Sequence, residues 1–225
     1  LCTRHWMVSD LDPSMAYLSK AAWDKEATPE AVMADQIRTV CGEDSVRPMM
    51  EAFRELEAAT IGAEQNALSL ASPSPGLIMR HWTAGALPGT LAEIREDCRK
   101  ALAAVERVPA QSRESGASYV KYWTGRLRFG VGYIDTIEAA RHAASLEADA
   151  QKAGNSGDSE AAAANWANAY EAGEAARAKA FAAIEEFAAV ARNKADQGAI
   201  VTLAEFVYRP LQKKVDELRA RQKQP

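Results

Sequence analysis

The triplet Arg-His-Trp occurs twice in this chain, at Arg4-His5-Trp6 and at Arg80-His81-Trp82, and it takes two of the three histidines. Tryptophan brings a flat apolar face and one N–H, while arginine and histidine bring directed hydrogen bonds. Together they suit a polar ring with apolar C–H faces, such as a sugar. Each triplet also has a plainer reading. Trp6 would pack beneath the first helix with Arg4 paired to Asp10 or Asp12, and Arg80-His81-Trp82 would anchor a proline-rich loop to its scaffold.

The remaining polar residues yield less chemistry. Glu57 and Asp135 fall within otherwise apolar helical stretches and read as buried ion-pair members, with Arg126 or Arg141 available to Asp135. Glu138 and His142 stand four apart, whereas di-iron bundles use Glu-x-x-His with further glutamates on facing helices. No metal and no cofactor are expected. Gly130-Val131-Gly132 lacks a preceding strand and a third glycine, so these glycines are expected to admit a neighbouring helix rather than a nucleotide. Cys2, Cys41 and Cys98 are odd in number and widely spaced, which fits neither a disulfide framework nor a zinc knuckle. With no basic neighbours to lower a thiol pKa, all three read as structural. Arg219, Arg221 and Lys223 complement the negative end of the last helix.

The elements that must position these groups are helical. The chain has 225 residues, 48% of them hydrophobic and 26% charged, with a net charge of −4. That charge argues against a nucleic-acid partner, whose reader would be basic and clustered. No run reaches the ~18 apolar residues of a membrane span. The first residue is leucine and no signal-like segment follows, so a fragment of a larger protein is expected.

Asp12-Pro13 and Thr28-Pro29 each set a capping oxygen before a proline at the first helical position. They predict helices from Pro13 to about Trp23 and from Pro29 to about Cys41, with Gly42 as a left-handed exit. A third helix carries Val46, Met49, Phe53, Leu56, Thr60, Ala63, Ala67 and Leu70 on one stripe. Proline and glycine interrupt the pattern from Ala71 to Gly89, a loop expected to be functional or packed down. Thr90 and Glu93 form a candidate capping box, followed by the stripe Leu91, Ile94, Cys98, Leu102 and Val105. The next helix, apolar on one face through Val120, Trp123, Leu127, Ile134 and Ile137 and on another through Tyr119, Tyr122, Phe129 and Tyr133, should be the central one. After a turn at Lys152 to Asp158, an alanine-rich helix runs from about Ser159 to Arg192. Trp166, Tyr170, Phe181, Ile184 and Phe187 are its expected large contacts. The last carries Ile200, Leu203, Val207, Leu211, Val215 and Leu218, and Pro210 must kink it. The fold class is therefore all-α: a short helical segment over residues 1–72, a Pro/Gly-rich loop over 73–89, and an antiparallel bundle of long helices over 90–225.

The stretch Tyr17-Leu18-Ser19-Lys20-Ala21-Ala22-Trp23-Asp24, with Thr28-Pro29-Glu30, Cys41-Gly42-Glu43 and Leu56-Glu57-Ala58-Ala59-Thr60, resembles the segment after the catalytic barrel in β-hexosaminidase-like and α-glucuronidase-like glycoside hydrolases. The tail from Asp196 to Leu211 is similar to the end of such chains. The likeness is good over roughly the first 70 residues and looser beyond. It implies that Arg4-His5-Trp6 follows the barrel's last strand, where loops face the sugar. It also implies that the paired carboxylates of glycoside hydrolysis lie on strands this chain lacks. Asp10, Asp12 and Asp24 are the acids near the first triplet. Asp12 reads as a cap and Asp24 as a turn residue, so no catalytic residue is assigned.

The function expected is that of a C-terminal helical part of a carbohydrate-active hydrolase, not catalytic alone. It would buttress the barrel of the same full-length protein and lend Arg4, His5, Trp6, Arg80, His81 and Trp82 to carbohydrate binding. A periplasmic or extracellular location would go with that function. The alternative is a non-catalytic helical scaffold or oligomerisation module, with exposed apolar stripes on the alanine-rich helix. A third reading, a ligand-binding bundle, requires a cavity lined by Tyr119, Tyr122 and Trp123.

Overall fold

The computed structural model describes residues 12–65 and 77–222, and within them every regular element is helical. Arg4, His5, Trp6, Cys2 and Asp10 lie outside the described residues, as do Ala67, Leu70 and Lys223.

The first two helices, α1 (Asp12–Ala21) and α2 (Pro29–Cys41), pack on one another. α1 stops two residues before Trp23, because the amides of Trp23 and Asp24 both turn back to the Lys20 carbonyl at 3.0 Å. Asp24 is the expected turn residue, accepting from the Glu26 amide at 3.0 Å. Thr28 caps α2 through Ala31 N, with Pro29 in its first turn. Gly42 ends it at φ +89°, a conformation that costs glycine little. Its ψ of 166° makes the exit extended rather than left-handed helical.

A short 3-10 turn, Glu43–Ser45, leads into α3 (Val46–Gln65). Met49, Phe53 and Ala63 are buried as the spacing predicts, but Thr60 is exposed and Ala52 and Ala59 take the inner positions. The small alanines let α3 lie close along α4 (Gly89–Val105). The capping box expected at Thr90 and Glu93 is absent. The helix starts two residues earlier, with Pro88 in the cap position, and Leu91 N and Ala92 N bond the Pro88 carbonyl at 3.0 and 3.1 Å.

α5 (Glu114–Asn155) is the axis of the molecule, 42 residues and about 63 Å long at 1.5 Å per residue. It is buried on several sides, as its double apolar face requires. α6 (Ser159–Ala188) returns antiparallel after a tight turn in which Gly157 takes φ +79° and Asp158 caps Ala161 N at 3.0 Å. α5 extends to Asn155, four residues into the expected turn, and α6 ends four residues before Arg192. The expected large contacts of α6 are mostly not its core. Among them only Phe187 is fully buried, Phe181 is 50% exposed, and Ala162, Ala169, Ala176, Ala180 and Ala183 make the inner face. Glycines set the spacing. A Cβ on Gly132 would sit 3.0 Å from the Ala183 Cβ, and one on Gly130 would sit 3.4 Å from Cys98 Sγ. These two glycines do serve helix approach.

α7 (Lys194–Leu203) and α8 (Arg209–Gln222) are one helical path interrupted by a wide turn at Ala204–Tyr208 with i→i+5 bonding. Pro210 offers no N–H to a regular turn, so the wide turn sits immediately before it. It also corrects the stripe. Leu203, Val207, Leu211 and Val215 are four residues apart, which in an ideal helix drifts by about 40° per step at ~100° per residue. The wider turn absorbs that drift, and all four stay buried.

One core cluster joins α3, α4, α5, α6, α7 and α8 around Ile94, Phe129, Ile134, Ile137 and Phe187. A second joins α2, α3, α4 and α5 around Met49, Phe53, Tyr122 and Trp123. Tyr119, Tyr122 and Phe53 each meet Trp123 edge-on, with ring centroids 4.9 to 6.3 Å away. These rings pack on one another in the second core.

Candidate functional site

The segment Leu77–Pro88 carries the second triplet, and the structure lays it across α5 and α8. Leu77 and Ile78 are buried in the main core, so the loop is packed down at its start. A 3-10 turn, Ile78–His81, follows and presents Trp82 to the bundle. The Trp82 Nε1–H donates to Glu147 Oε2 at 2.7 Å. Lys214 donates to the other oxygen of the same carboxylate at 2.7 Å, and its ammonium lies 5.5 Å from the indole centroid. A Cβ on Gly173 would lie 3.7 Å from the far edge of the indole, so α6 leaves room for the ring there.

The rest of the segment is held by polar bonds to α5. Ser145 Oγ accepts from Gly85 N at 2.9 Å, and Arg141 Nε donates to the Ala86 carbonyl at 2.8 Å. Gly85 takes φ +116°, which a side chain would strain. His81 is half-buried, and desolvation together with Arg141 and Arg80 holds its pKa below the ordinary histidine value. Arg80 is exposed. An open groove of about 520 Å³ lies between Met79 and Glu205, Arg209, Pro210, Lys213 and Lys214. Its charges are largely paired along the helix, Arg209 with Glu205 at 2.7 Å and Lys214 with Glu217 at 3.7 Å.

The structure therefore brings Arg80, His81 and Trp82 together on one loop, and commits the Trp82 N–H and the Lys214 ammonium to Glu147. Sequence reasoning did not single out Glu147 or Lys214. Glu147 stands among alanines near Asp149 and Lys214 follows Lys213, with nothing local to set either apart, and only the α5–α8 crossing pairs them.

Other candidates resolve into packing. Asp135 pairs with Arg95 at 2.9 Å and Arg99 at 3.7 Å on α4, not with Arg126 or Arg141. Arg126 lies instead over the Phe129 and Phe187 rings. Glu138 also pairs with Arg95, at 2.6 Å, while His142 is exposed. Glu57, expected to be buried, is exposed, because the α3 inner face turns through Ala52 and Ala59. Among the described residues no group of three His, Cys, Asp or Glu side chains is placed to hold a metal ion. No helix among them is long and apolar enough to cross a membrane. Burial pushes the Cys98 thiol up to about 11 and also raises that of Cys41. No family model, curated protein or solved structure matches the chain.

Proposed function

We propose that the chain serves as the C-terminal helical part of a carbohydrate-active glycoside hydrolase, non-catalytic by itself, which seats the catalytic barrel against α1 and α2. The observation that carries this reading is Trp23, 92% exposed at the end of α1, within the very segment that resembles the post-barrel region. An indole this bare is costly to leave in water and is the kind of side chain that anchors interfaces. Met15, on α1 itself, is also exposed. The barrel would bring the carboxylates, and Arg4, His5 and Trp6 would reach its sugar subsite.

The test compares Trp23→Ala in the isolated chain and in the protein joined to its barrel. Thermal unfolding of the isolated chain should not move, because the side chain touches little. The joined protein should lose several degrees in the barrel transition. Equal unfolding temperatures with and without the substitution in the joined protein would reject the seat. Trp6→Ala there should raise KM for an aryl glycoside.

A second reading, self-association, is favoured by Phe181 on α6 and Val201 on α7, 50% and 60% exposed. It requires a sedimentation coefficient that rises with concentration and a monomer after Phe181→Ser.

A further inference from the structure

We draw no further inference here: the strongest candidate, the open groove that Met79 of the 3-10 turn forms with Glu205, Arg209, Pro210 and Lys213 beside the wide turn, has its cations Arg209 and Lys214 already matched to Glu205 and to Glu147 and Glu217, and nothing in the structure shows what would fill it.

Discussion

Trp82 and Glu147, 65 positions apart, meet through an indole N–H and a carboxylate oxygen at 2.7 Å, and Lys214 holds the other oxygen. One side chain of α5 thus ties the loop to α8. Removing it leaves the Trp82 N–H without this partner and Lys214 with only the more distant Glu217 at 3.7 Å. Glu147→Ala should cost about 1–3 kcal/mol by chemical denaturation, since both ions are largely but not wholly buried. Trp82→Phe, which keeps a ring and loses only the N–H, should cost about 1 kcal/mol. The two effects should fall short of additive in the double variant, because they share a bond.

Glycine replacements should split by sign. Gly198 is helical with open space around it, so Gly198→Ala should stabilise by roughly 0.5–1 kcal/mol. A Cβ on Gly125 would come within 2.6 Å of both Val190 methyls and 3.0 Å of the Glu186 carbonyl. There the helix-propensity gain is overwhelmed, and Gly125→Ala should destabilise by about 1–3 kcal/mol. Thermal melts of the two variants give the answer.

Asn193 and Asp196 cap α7 reciprocally. The Asn193 side chain accepts from Ala195 N and Asp196 N, while Asp196 Oδ2 accepts from Arg192 N at 2.7 Å and Asn193 N at 3.3 Å. Asp196→Ala should cost about 1–2 kcal/mol in urea unfolding. Asp196→Asn, which keeps an acceptor oxygen, should cost less.

Thiol chemistry should be slow in the folded chain. With its pKa near 11, Cys98 holds little thiolate at pH 8, and Cys41 is shifted the same way. Iodoacetamide labelling followed by peptide mapping should leave both largely unmodified until denaturant is added. Raising the pH to 9 should leave Cys98 still protected, because its thiolate fraction remains small and the site is buried.

The all-α class, the central place of α5 and the bounds of α2 followed from local signals in the sequence. Apolar residues at spacings of three and four, Thr28-Pro29 and Gly42 act within one or two turns of chain. The buried stripe Leu203, Val207, Leu211, Val215 and Leu218 was equally legible, and Pro210 announced the break. Short-range steric and hydrogen-bonding rules determine such features wherever the chain later folds. Tertiary structure decided the rest. Which face of α6 turns inward depends on Gly132 of α5, which admits Ala183, and on Gly173, which lies against Leu218 and Val215 of α8, so Ala176 and Ala183 are buried while Phe181 is not. Asp135 meets Arg95 and Arg99 rather than its own helix neighbours, because α4 crosses there. The Trp82–Glu147–Lys214 tie joins three elements distant in sequence, and no local rule links residues until packing has brought them within hydrogen-bond reach.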